Sequence, residues 1–199
     1  MRAVLREVSP AELERRRKLG LDHWDEMWEG VLHMTPAPKY EHQRVQANLL
    51  AFLLPIIEGS GRGTLAIGIN VFNEASAMED YRIPDFTFVA SGREGLIHED
   101  GIRGGGPDAV IEIRSPGDES YEKLPFFAGL GVREVVIIDR DTKKPEVFRL
   151  AGPQYLAVAA DREGWVTCET LGVRFRREDG EPAKLAVEDL SDPGRSVRV

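Results

Sequence analysis

Residues 106–140, GPDAVIEIRSPGDESYEKLPFFAGLGVREVVIIDR, decide the fold. Two apolar runs, Ala109–Ile113 and Val135–Ile138, have the length and β-branched content of buried strands. The segment between them carries helix-forming residues and stops at Gly129 and Gly131, so a helix is expected over about Ser120–Leu130, with Pro125 confined to its first turn or to a kink. Within the first strand one residue is out of place. Glu112 lies amid Ala109, Val110, Ile111 and Ile113, and a carboxylate buried without a partner is costly, so it needs a cation. Strand alternation puts Val110, Glu112 and Arg114 on one face, which leaves two explanations open: a Glu112–Arg114 ion pair, or a bound metal.

Upstream, RIPDFTFVA (82–90) places Asp85 at the start of a second apolar strand. A turn aspartate would account for it taken alone. Glu112 alters that balance, because residues 85 and 112 can lie on neighbouring strands with SGREGLIHEDGIRGGGP (91–107) leading back between them. Two hard oxygen ligands suit Mg²⁺ or Mn²⁺, which keep several waters and bind through few carboxylates. Such an ion polarises a phosphodiester and lowers the pKa of an attacking water.

Further outward, Ser9-Pro10-Ala11-Glu12 has the form of a capping box with proline at the first helical position, predicting a helix from Pro10 to about Leu19. Its basic run Arg15–Lys18 reads as a solvated face. WEGVLHM (28–34) reads as a strand or hairpin arm turning at Glu29-Gly30. A long helix is then expected from Glu41 to Ile57, where Val45, Leu49, Phe52 and Ile56 recur at helical spacing. TLAIGINVF (64–72), PEVFRL (145–150) and QYLAVAA (154–160) are strand-like. The order of elements implies an α/β chain with a central mixed sheet flanked by helices, in one domain, with residues 1–22 a helical appendage and 178–199 a C-terminal extension.

The 199 residues are 42% hydrophobic and 30% charged, the balance of a globular protein. No run of eighteen apolar residues occurs and the start of the sequence lacks a signal-peptide pattern, so no membrane association and a cytoplasmic location are expected. The single cysteine, Cys168, lies in an alternating segment and reads as a packing thiol. The four histidines show no zinc-type pair spacing, and the Gly104–Gly106 run lacks the lysine and helix of a phosphate loop. A net charge of −8 and a pI near 5.1 disfavour broad phosphate neutralisation, so any nucleic-acid chemistry must be concentrated in one cleft.

A Pro-Asp pair, an acidic residue in an apolar strand and a following basic residue resemble the PD-(D/E)XK restriction-endonuclease-like superfamily. More closely, WEGVLHMTPAPKYEHQRVQANLLAFL (28–53), RIPDFTFV and residues 106–140 with EVFRL after them resemble the Uma-type endonucleases, bacterial proteins of mostly unestablished function; the similarity spans roughly Trp24–Val158. The resemblance implies a restriction-endonuclease-like core and a Mg²⁺- or Mn²⁺-dependent endonuclease acting on DNA. Asp85, Glu112 and the main-chain carbonyl of Ile113 would be metal ligands, with Glu41 an additional carboxylate. Arg114 stands where the superfamily usually has lysine. Arginine stays protonated and can stabilise charge but cannot take a proton from water, so Lys123 is the lysine expected to orient or activate water. Asp108 would lie behind these residues and Gln43 would be an optional polar contact. A homodimer would follow from the need for two sites to cut both strands of a duplex. The alternative function is a nuclease-like fold that no longer cuts and instead binds nucleic acid or a partner protein.

Overall fold

A computed structural model of the chain describes residues 3–5 and 8–199. At its centre is a six-stranded mixed sheet in the order Gln154–Ala157, Pro145–Ala151, Glu134–Asp139, Ala109–Arg114, Phe86–Ala90, Gly63–Ile67. Only Ala109–Arg114 and Glu134–Asp139 run parallel, with Glu112 opposite Ile137. A parallel pair needs a crossover, and the helix Leu124–Gly129 supplies it.

That helix is shorter than the sequence suggests. Pro125 has no N–H for an α-helical bond and so falls in the first turn. Residues before it are held in a turn by Asp118, whose carboxylate accepts from the N–H groups of Ser115 and Ser120 and from the Ser120 hydroxyl. The N-terminal helix Pro10–Lys18 does have its capping box, with Ser9 Oγ accepting from Glu12 N–H at 3.2 Å. The long helix runs Tyr40–Ile57, with Pro55 in its last turn.

Each face of the central sheet has its own cover. Ala109, Ile111 and Ile113 pack with Leu49, Leu53 and Ile57 of the long helix, while Val110 and Ile137 pack with Phe127 of the short one. Among the described residues no helix is long and apolar enough to cross a membrane.

Two segments read as single strands are split. TLAIGINVF divides at Gly68 (φ +58°), giving Gly63–Ile67 to the central sheet and Val71–Phe72 to a second sheet. RIPDFTFVA divides likewise at Pro84, which lacks a ladder donor. The second sheet has seven short strands in the order Ala3–Leu5, Val31–Met34, Asp25–Trp28, Tyr81–Arg82, Val71–Phe72, Gly101–Ile102, Ile97–His98. Asp85 therefore sits at the seam between two sheets.

The segment from 178 onward is not a separate appendage. Lys184–Asp189 and Ser196–Arg198 complete a four-stranded sheet with Val166–Cys168 and Val173–Glu178. Leu185, Val187 and Val199 join the same core as the long helix. Alternating apolar residues hidden among charges make this possible. Cys168 is fully buried, and burial holds its thiol well above the usual range, so it packs rather than reacts.

Candidate active site

Antiparallel pairing of Phe86–Ala90 with Ala109–Arg114 sets Phe86 opposite Ile111, so Asp85 is delivered beside the Glu112–Ile113 end of the neighbouring strand. The Ile113 N–H donates to Asp85 Oδ2 at 2.6 Å, fixing the carboxylate against that strand. From the long helix, His42 Nε2 lies 3.3 Å from Asp85 Oδ1, and Gln46 Nε2 donates to the Asp85 main-chain oxygen at 3.1 Å. His42 and Gln46 are four residues apart, hence on one helical face.

The partner of Glu112 is a lysine. Lys123 Nζ lies 3.0 and 3.3 Å from the two Glu112 oxygens and 2.7 Å from Glu26 Oε1. Glu26 also accepts from the Ile83 N–H at 2.8 Å and from Trp28 Nε1 at 2.9 Å. All three charged side chains are buried. Burial pushes the Glu112 carboxyl well above the usual carboxylate range; Lys123 opposes this, and the charges of Asp85 and Glu26 reinforce it. Glu26 is held low despite burial by Lys123 and its hydrogen bonds, and Lys123 is held protonated against burial by the two glutamates.

Asp85, His42, Glu26, Glu112 and Lys123 line one cavity of about 470 Å³ at the seam, together with Ile113, Ser115, Lys39 and Arg140. The structure thus brings together Asp85, Glu112, Ile113 and Lys123. It places two other anticipated residues elsewhere. Glu41, one position before His42 and so turned about 100° around the helix, meets Lys143 Nζ at 2.6 Å and is absent from the cavity lining. Arg114 pairs with Asp139 at 2.9 Å, beneath the Tyr121 ring, and also does not line the cavity. The Glu112–Arg114 pair left open by strand alternation is replaced by Glu112–Lys123. Asp108 is fully buried and binds the Ala90 N–H, Arg93 and Arg133, which makes it a brace for the turn. Gln43 lines the cavity wall.

Glu26 and His42 were not anticipated. Glu26 belongs to the strand Asp25–Trp28, in which Asp25, Glu26 and Met27 are all buried, so no alternating pattern marks it in the sequence. His42 is a single histidine in a first turn, and only its position one step from Glu41 hinted at it.

Glu26 and Glu112 flank Lys123, and the charge of Asp85 acts on Glu112 from the neighbouring strand; a hard cation would relieve that repulsion, so the donor chemistry of Asp85 and Glu112 fits Mg²⁺ or Mn²⁺. Among the described residues, no three His, Cys, Asp or Glu side chains stand in ligating geometry, leaving most of a hard ion's positions to water or substrate.

Residues 13–187 match the family Uma2, described as "Putative restriction endonuclease". The chain belongs to the Uma2 family. Comparison with curated proteins returns no match. Among solved structures, the chain is similar to one described as "a putative nuclease belonging to DUF820 from Anabaena variabilis ATCC 29413", at TM-score 0.59 and 16% identity over 74% of this chain and 82% of that one. That likeness shows a shared fold. The Asp85–Glu112 seam lies inside the stretch matched by the family.

Proposed function

We propose that this Uma2 protein is a divalent-metal-dependent endonuclease that hydrolyses phosphodiester bonds of DNA. The observation that carries this reading is the convergence of Asp85 and Glu112 from adjacent strands, with Lys123, in one cavity. Family membership and the fold of the nuclease-described neighbour support it.

Asp85, Glu112 and the Ile113 carbonyl would hold Mg²⁺ or Mn²⁺, which when bound polarises the phosphoryl group and acidifies a coordinated water. The protein's own groups set the rest. Ile113 N–H aims the Asp85 carboxylate, and His42 leans on its other oxygen. Lys123, held protonated between two glutamates, donates hydrogen bonds and orients water rather than removing its proton. Arg140 takes the charge-stabilising role first expected of Arg114, since it lines the cavity and turns Nη1 to Ser115 Oγ at 3.3 Å while Asp141 holds its Nε and Nη2 at 2.7 and 2.9 Å. Glu41 acts at a distance, by anchoring Lys143 next to the Arg140 carbonyl.

One observation favours a second reading, a fold that binds DNA or a partner without cutting: Lys123 already supplies a positive charge to Glu112 and Glu26. Incubating supercoiled plasmid and single-stranded DNA with Mg²⁺ or Mn²⁺ separates the two. Cleavage by the wild-type protein that disappears in Asp85→Asn supports the endonuclease. Absence of cleavage in either metal, with binding retained in EDTA, supports the binding module.

A further inference from the structure

Trp24 lines the same cavity as the carboxylates. It stands in the turn just before the strand Asp25–Trp28, two residues ahead of Glu26, and is half-buried where Glu26 is buried. The segment is braced, since Arg16 binds the adjacent Asp25 carboxylate at 2.5 and 2.8 Å. The indole meets the His23 ring at 4.4 Å, and an added Cβ at Gly68 would stand in ordinary van der Waals contact with it at 3.4 Å, so Gly68 packs against the ring. A half-buried indole in the lining of this cavity offers a flat aromatic surface on which a base can stack.

Charge and size narrow what it can stack upon. Five carboxylates line the cavity against three cationic side chains, Lys39, Lys123 and Arg140, and Lys123 is committed to Glu26 and Glu112. Such a lining cannot neutralise the dense phosphates of a duplex, which requires many Lys and Arg contacts. At about 470 Å³ the space has the size of a small-molecule pocket. Its lining includes Pro36, Pro38, Pro84 and Pro116, whose rings restrict the backbone. A base inside a duplex is stacked on both faces and cannot meet an indole unless it is extruded, whereas every base of a single strand offers a free face.

We propose that the site takes single-stranded DNA, one unstacked base resting against Trp24 while the adjoining phosphodiester enters the carboxylate cavity. This rests on the endonuclease reading and narrows its substrate. A strand taken singly needs one site, so no second copy of the chain is required for the chemistry.

The test uses one labelled oligonucleotide, free and annealed to its complement. Cleavage by the wild-type protein in Mg²⁺ is followed by steady-state kinetics, and binding to the Asp85→Asn protein in Mg²⁺ by fluorescence anisotropy. The single strand is expected to be bound and cut at least about tenfold better. Trp24→Ala should weaken single-strand binding at least about fivefold and raise KM with kcat little changed, while Trp24→Phe, which keeps a stacking ring, stays near wild type. Equal or better binding of the duplex overturns the proposal, as does a Trp24→Ala protein with unchanged affinity or a Trp24→Phe protein as impaired as the alanine variant. Cleavage of the duplex alone removes this inference and leaves the endonuclease reading standing. No cleavage and no binding of either form removes both.

Discussion

The ammonium of Lys123, just ahead of the short helix, lies 2.7 Å from the carboxylate of Glu26, a residue 97 positions earlier in the chain and on the seven-stranded sheet. With Glu112 at 3.0 Å, this lysine is the charge that lets two glutamates remain buried where the sheets meet.

Removing that charge should therefore be expensive. Lys123→Met leaves two buried carboxylates facing each other and is expected to lose about 3–5 kcal/mol of stability in urea denaturation at pH 7. Glu26→Gln should lose less, because the amide oxygen can still accept from the Ile83 N–H and Lys123 keeps Glu112. A Lys123→Met protein as stable as wild type would show that the triad contributes nothing to holding the sheets together.

Asp85 offers a cleaner separation of chemistry from folding. Asparagine keeps an oxygen to accept the Ile113 N–H but loses the negative charge. Asp85→Asn is expected to retain its melting temperature within a few degrees and to cut DNA at least about 100-fold more slowly, a loss on the scale of deleting one electrostatic contributor to a transition state. Circular-dichroism melts and single-turnover cleavage check the two halves. An unfolded Asp85→Asn protein would mean that the carboxylate serves the seam rather than the reaction.

The paired carboxylates were legible because energy forced them into view. A glutamate inside Ala109–Ile113 has no cheap explanation, and Pro84 beside Asp85 marked a strand boundary. Less visible was which residue would answer the glutamate. Alternation put Arg114 on the correct face, yet the parallel neighbour brings Asp139 level with Arg114 and takes it away. The partner came instead from a turn, where Lys123 precedes a helix too short to be sensed by periodicity. Glu26 escaped notice because pairing between distant strands leaves no local signal. TLAIGINVF read as one strand because hydrophobic runs do not record which sheet they join, although Gly68 stood at the break.

The two arginines make opposite predictions. Arg114 is partly exposed, and its bond to Asp139 is of the kind worth at most about 1 kcal/mol, so Arg114→Ala should change kcat/KM for DNA cleavage by less than about threefold. Arg140→Ala should reduce it by about 100-fold, because it removes a buried guanidinium from the cavity lining, where Lys123 is already committed to two glutamates. If Arg114→Ala is the more damaging variant, the guanidinium must swing toward the cavity when substrate binds, and the charge-stabilising role returns to it.

Acid stability should depend on Glu134, far from the cavity. Burial alone would raise its pKa, but the Thr170 N–H at 2.6 Å, the Arg149 guanidinium at 2.9 and 3.0 Å and the Cys168 thiol at 3.2 Å outweigh it and hold the carboxyl below the ordinary glutamate value of 4.5. The folded protein thus binds this proton less tightly than the unfolded chain does. Its contribution to stability is complete above about pH 4.5 and is lost as the pH falls through the depressed folded value. Glu134→Gln, which cannot ionise, should be destabilised most at pH 7, and its deficit against wild type should shrink on acidification below about pH 4.5. Urea titrations at a series of pH values measure this, and a deficit that stays constant down to pH 3 would show that the hydrogen-bond geometry, not the charge, is what the sheet-to-sheet contact at Thr170 requires.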